Sequence, residues 1–375
     1  MSTTPSSVGL VLPGGGARAA YQAGVLKAIG RRHPGFFFPI ITGVSAGAIN
    51  SSYLASRTGN LEDATADLAK IWGTIQFENV FRMELGSWTR SFFRWNRQDA
   101  ESTNPGGLLD TSPLRHLLEL RLGAKHDQPI PGITRNIDAG RLEAVALITV
   151  NYGTGQTISW VQGRNISHWE RPDRRSRQTR LTADHVMASA ALPLLFPAVE
   201  LGDAWYGDGG IRYAAPLSPA LHLGADKLLA ISMRYDRSAE EAGHPTSTGY
   251  PSPALIGGNL LNAVFLDVIE QDVMRLERLN TVIRKVPPEE RGGLKPVDIL
   301  LIRPSKDLGK LAADVDVKLP RGFRLLIRSL GAEETESPDL LSLLLFQPDY
   351  LQRLVDLGEQ DAEAQMDAID ALIES

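Results

Sequence analysis

Twice before residue 57 the chain runs from a short apolar segment through a glycine cluster into a helix-forming stretch. Val8–Leu12 ends in Pro13-Gly14-Gly15-Gly16, and Ala17–Ile29 follows with Tyr21, Val25 and Ile29 four apart on one face. The second unit is Phe36–Thr42, then Gly43-Val44-Ser45-Ala46-Gly47, then a small-residue helix over Ala46–Ser56. An apolar run bounded by breakers reads as a buried strand, and apolar residues at a spacing of four read as an amphipathic helix. Strand, helix, strand, helix in that order calls for a mostly parallel sheet covered by helices, an α/β fold. Further strands are predicted at Leu142–Tyr152, Gln156–Gln162, Ala198–Tyr206 (interrupted by Gly202), Lys227–Arg234 and Val297–Arg303. Helical patterns cover Leu61–Ile75, Ser112–Leu120, Asn259–Asn280 and the stretch from Ser337 onward. Ser238–Pro253, rich in Gly, Pro and Ser, is the candidate loop or internal boundary.

Composition narrows the function classes. At 375 residues the chain has room for one large domain, or one domain with an extension. It has no cysteine, which excludes disulfides, thiol catalysis and Cys-ligated zinc or iron–sulfur sites. The charge balance of 39 basic against 44 acidic residues gives −5. No apolar run approaches the ~18–20 residues of a membrane span, and the N-terminal segment lacks the basic region of a signal peptide. The expectation is a cytoplasmic protein with at most a peripheral hold on a membrane.

The chemistry concentrates in three glycine-framed positions. In Gly43-Val44-Ser45-Ala46-Gly47, a strand-to-helix turn would force Ser45 into strained backbone geometry and hold its hydroxyl out, with small neighbours required on both sides. Gly14-Gly15-Gly16-Ala17-Arg18-Ala19 exposes backbone N–H groups at a helix start, where an anion can be cradled. A dinucleotide fingerprint competes for this loop, but it needs an acidic residue about 20 positions on, and no Asp or Glu precedes Glu62. An oxyanion hole fits better. A serine nucleophile also needs a base. The α/β-hydrolase order places a late histidine after the serine, whereas here Ser45 follows only two strands and the last histidine is His244. One carboxylate does sit in a glycine-framed turn: Asp208, followed by Gly209 and Gly210. Partial burial would raise its pKa and make it a proton acceptor; a plain Asp-Gly hairpin turn is the competing explanation.

Together, Gly14–Ala19, Gly43–Gly47 and Asp208-Gly209-Gly210, in that order, resemble the patatin-like phospholipases. The run Ala188-Ser189-Ala190-Ala191-Leu192-Pro193 to Phe196-Pro197 is also similar to that family, and Ala19 departs from its usual Gly. The resemblance spans about residues 8–220. It implies a three-layer αβα sandwich, with a catalytic domain over 8–221 and an extension over 222–375 that completes the sheet and adds helices. It further implies a lipid acyl hydrolase acting on (lyso)phospholipids or other lipid esters through a Ser45–Asp208 dyad. Ser45 would be the nucleophile, Asp208 the general base, and the N–H groups of Gly14, Gly15 and Gly16 the oxyanion hole. Gly43, Gly47, Gly209 and Gly210 would support the motifs, and Arg18 would either steer a phosphate or make a structural hydrogen bond. No metal or cofactor is implied. A non-lipid esterase or thioesterase with the same dyad, and a catalytically idle lipid-binding module, are the alternatives.

Two more stretches bear on partners. Phe81–Arg97 mixes five aromatics with arginines, which suits either a membrane interface or lid, or a helix burying its aromatics in the core. Gly163–Arg180 carries six arginines but no aromatic platform or DNA-binding motif, so a solvated basic loop is expected and no nucleic-acid partner.

Overall fold

The computed structural model describes residues 7–82, 107–243, 253–316 and 339–374. Its centre is a ten-stranded sheet in which β10 (Asp298–Ile302), β9 (Lys227–Ile231), β1 (Val8–Leu12), β2 (Ile40–Val44) and β3 (Ala144–Asn151) lie side by side, all parallel. Beyond β3 the sheet turns mixed: β4 (Thr157–Gly163) is antiparallel to β3, and β6 (Arg174–Gln178) and the two-residue β5 (Glu170–Arg171) form the edge. A hairpin of β7 (Val199–Leu201) and β8 (Ala204–Asp208) turns at Gly202, whose φ of 65° is the left-handed conformation that glycine tolerates.

Alternation along the parallel strands explains the three layers. Leu10, Leu12, Ile41, Leu229 and Ile231 join one core cluster, while Val11, Ile40, Leu228 and Ala230 join another on the opposite face. Side chains of successive strand residues point to opposite faces, so strands apolar on both parities must be covered twice. The first face carries helices α1 (Ala20–Arg32) and α3 (Leu61–Thr74) and the helix Pro348–Ala364; the second carries Ser218–His222 and Asp267–Ile283.

Several boundaries differ from the sequence expectation. α1 is buried on nearly every side rather than along one stripe, because the helix Pro348–Ala364 lies against it. The second strand starts at Ile40 rather than Phe36, and Phe36 and Phe38 instead meet edge to face at 4.9 Å. The Asn259–Asn280 pattern is two helices, Pro253–Phe265 and Asp267–Ile283, parted at the buried Leu266. The arginine-rich stretch is not a loop throughout. Arg174–Gln178 pairs in parallel with β4, and charged side chains on such an edge discourage further strands from adding to it. Of Phe81–Arg97, Phe81 is buried, and positions 83–97 lie outside the described residues.

Candidate active site

Strand register brings the three motifs together. Leu12 pairs with Gly43, so both glycine clusters leave the sheet side by side at the carboxyl ends of β1 and β2. On β3, Ile148 pairs with Val44 on one edge and Ser159 on the other, and the next residue, Thr149, pairs with Ile158 and Asp208. β4 occupies one edge throughout, so β2 and β8 share the other edge end to end. Ser45, where β2 ends, therefore faces Asp208, where β8 ends.

Ser45 sits between β2 and helix α2 (Ala46–Ser56) with φ 57° and ψ −131°. A non-glycine residue at positive φ stores about 1–3 kcal/mol of strain, which the surroundings must hold. Its amide donates to Ser189 Oγ at 3.1 Å, and that hydroxyl donates in turn to the Ile148 carbonyl at 2.6 Å. Ser189 is fully buried and ties the turn to β3. The glycines permit the crowding: a Cβ on Gly47 would overlap the Leu12 carbonyl, and one on Gly43 would lie 2.5 Å from the Gly47 carbonyl. A Cβ on Gly14 would lie 2.7 Å from Ser45 Cβ, so the first glycine loop passes directly against the serine side chain. Gly15 and Gly16 line the same pocket as Ser45. A buried amide chain anchors that loop: Trp72 Nε1 donates to Asn50 Oδ1 (2.7 Å), Asn50 Nδ2 to Gln22 Oε1 (2.9 Å), and Gln22 Nε2 to the Pro13 carbonyl (2.9 Å).

Asp208 is fully buried, and burial pushes its pKa up to about 7, against the lowering effects of hydrogen bonds from the Ser45 hydroxyl and the Gly210 N–H. The Gly210 N–H donates to Oδ1 at 2.8 Å, while Oδ2 has no partner with full hydrogen-bond geometry. The Ser45 hydroxyl thus lies within reach of the carboxylate, with a hydrogen bond that is not tightly aligned. Gly209 and Gly210 admit close neighbours: a Cβ would lie 2.6 Å from the Ile148 carbonyl at the first, and would overlap the Phe265 ring at the second. No histidine lines the Ser45 pocket among the described residues. His185, buried against Trp160 and bonded to Thr182, serves a helix start instead.

Arg18 makes the structural bond. It is buried, and it donates to Asp339 Oδ1 at 2.7 Å and to Ser342 Oγ at 2.6 Å, partners more than 320 residues away. Such partners are invisible to local pattern. Among the described residues no group of three or more His, Cys, Asp or Glu is placed to hold a metal ion, and no helix is long and apolar enough to cross a membrane.

From Ser45 a pocket of roughly 1000 Å³, open mouth included, runs between α2, α3 and the helix Ser112–Leu122. Its walls are almost wholly aliphatic and aromatic, among them Ile49, Trp72, Leu118 and Phe265. A strained serine turn and a glycine loop thus stand together at the carboxyl end of a parallel sheet, opening on an apolar pocket. A family model, patatin-like phospholipase, matches residues 10–221, and the chain belongs to that family. Membership points to lipid acyl hydrolysis. Solved structures with a similar fold include VipD from Legionella pneumophila (13% identity, 97% of this chain and 67% of that one, TM-score 0.37). The type III effector ExoU of Pseudomonas aeruginosa is similar at 14% identity (97% and 53%, TM-score 0.36). Human GIVD cytosolic phospholipase A2 is similar at 12% (98% and 60%, TM-score 0.43). The chain spans between about half and two thirds of the length of these structures. No curated protein sequence matches it.

Proposed function

We propose that the protein is a serine acyl hydrolase that cleaves fatty-acyl esters of phospholipids, lysophospholipids or related lipids through a Ser45–Asp208 dyad. Residues 8–221 form the catalytic domain in this reading, and 222–375 the extension that completes the sheet. The observation that carries it is the end-to-end approach of β2 and β8, which sets a strained serine against a buried carboxylate at the mouth of an apolar pocket.

Ser45 Oγ attacks the ester carbonyl carbon as Asp208 takes its proton. The carbonyl oxygen becomes an oxyanion held by backbone N–H groups of Gly15 and Gly16, with Gly14 adjoining; a donor of this kind contributes roughly 2.7–4 kcal/mol to the transition state. Protonated Asp208 then passes its proton to the leaving alcohol, giving acyl-Ser45. Water, deprotonated by Asp208, attacks the acyl carbon, and the proton returns to Ser45 as the fatty acid departs. A carboxyl group with a pKa of about 7 is suited to take and give a proton near neutral pH.

Turnover of dispersed phospholipid and of short soluble esters by wild type, Ser45→Ala and Asp208→Asn tests the reading. Both variants should lose activity by ~10³-fold or more. A fluorophosphonate should label Ser45, with the wild-type rate rising with pH through about 7. Turnover of soluble esters alone would leave a non-lipid esterase or thioesterase, lipid binding without any turnover would leave an idle module, and an adduct on another serine would overturn the dyad.

A further inference from the structure

The apolar pocket does not end apolar. Ala46, Ile49 and Tyr53 of α2 line it in turn, one face of the helix leading away from Ser45. Tyr53 lies eight residues beyond Ser45, about 12 Å along the helix axis at 1.5 Å per residue. It is 3% exposed, and no hydrogen bond of full geometry reaches its hydroxyl. The Arg57 guanidinium is within reach as a donor, but among the described residues the buried phenol finds no acceptor for its own O–H, and where such a group lines a cavity it points to an acceptor that arrives with a ligand. Two cations gather at this end. The Arg57 guanidinium stacks on the Tyr53 ring at 4.1 Å, with one amino group donating to the Arg121 carbonyl and its buried Nε unpartnered. Arg121 lines the pocket on the facing helix, and its guanidinium makes no ion pair among the described residues. Asp67 is the acid that also bears on Tyr53, from an exposed position. Burial holds the Tyr53 phenol above its ordinary pKa, so it stays protonated and can donate.

We infer that the distal end of the pocket binds a carboxylate carried at the far end of the acyl chain, so that esters of medium-length dicarboxylic acids are preferred over methyl-ended acyl esters. The Tyr53 hydroxyl donates to that carboxylate, and Arg121 and Arg57 balance its charge. An extended chain advances about 1.2 Å per bond, so ~12 Å corresponds to roughly ten bonds from carbonyl to terminus. The inference deepens the acyl-hydrolase reading and rests on Ser45 holding the ester end.

Two arms test it on the full chain. In the first, the silent Ser45→Ala protein is titrated by calorimetry with the monomethyl ester of a ten-carbon dicarboxylic acid and with methyl decanoate. The half-ester should bind roughly ten- to hundredfold tighter, the scale of a charge-assisted hydrogen bond. Tyr53→Phe and Arg121→Gln should each abolish most of that preference, and Arg121→Lys should restore part of it. Because Arg121 is exposed, its variant separates ligand recognition from any packing loss at Tyr53. Equal or weaker binding of the half-ester overturns the inference. In the second arm, wild type is assayed on p-nitrophenyl esters of the same two acids. The same preference should appear in kcat/KM, and in Tyr53→Phe the ratio of kcat/KM for the two esters should fall to near one; an unchanged ratio overturns the inference. If neither ester is hydrolysed, the acyl-hydrolase reading fails, and the binding arm still decides what the distal end recognises.

Discussion

Residues 8–221 and the residues after 222 contribute differently to the same site. The first region holds every polar group argued to touch the ester; the second holds none, yet it shapes the loop those groups stand on. Leu343 presents its carbonyl where a Cβ on Gly16 would be, Val355 does so at Gly24, and Met233 fills the space beside Gly15. Tyr21 of α1 donates to Asp361 Oδ2 at 3.0 Å, and Lys27 and Arg31 pair with Glu359 at 2.7 and 2.5 Å. The family match ends at residue 221, but the packing does not. A run of motifs marks where the chemistry is, not where the cooperative unit stops.

Four substitutions break or sharpen this comparison. Gly24→Ala should cost the most, about 3 kcal/mol, because the new methyl meets the Val355 carbonyl, a backbone atom that cannot rotate away. Denaturant unfolding should show one transition with ester hydrolysis lost along it; activity that outlasts the loosened C-terminal region would separate the two regions. Asp208→Asn should act in the opposite direction and stabilise by about 2 kcal/mol at pH 8. The sign follows from the raised folded-state pKa: the contribution of Asp208 to stability is full below 3.8 and is lost as pH rises through about 7. The gain from Asn should therefore shrink towards pH 4, and a melting-temperature difference that does not change with pH would contradict it. Tyr21→Phe should cost about 1 kcal/mol, since Asp361 Oδ2 keeps the Ser305 N–H at 2.9 Å. Glu359→Gln should cost the least, below about 1 kcal/mol and less again in high salt, because its partners lie at the solvent-facing rim. A larger loss at Glu359 than at Tyr21 would move the centre of the contact to its edge.

The parts of the molecule legible in sequence are those where backbone crowding leaves no freedom of choice. Gly43, Gly47, Gly209 and Gly210 all face atoms that a side chain would strike, so the pattern survives as letters. Strands β1, β2 and β9 were legible because their apolar runs are buried on both faces, and the edge strand β10 because Ile299–Ile302 is an unbroken apolar run. Ser189, which fixes the amide of Ser45, carries no local signal of that role, since nothing in its surroundings distinguishes it from another serine before a loop. Arg18 and the Gln22–Asn50–Trp72 chain were hidden for a related reason: their meaning lies in partners far along the chain. The break at Leu266 was hidden because the apolar spacing continues across it. β6 was hidden because an edge strand made of Arg174, Arg175, Ser176, Arg177 and Gln178 has the composition of a loop.

The hydrogen bond from the Ser45 amide to Ser189 carries a stereochemical consequence. That N–H is already committed, so in the proposed reaction the oxyanion would draw on the fixed donors of the Gly14–Gly16 loop and the helix start at Ala46, not on the serine's own amide. The bound ester must then offer one prochiral face to attack, and a phosphonate inhibitor with a chiral phosphorus should react through one enantiomer.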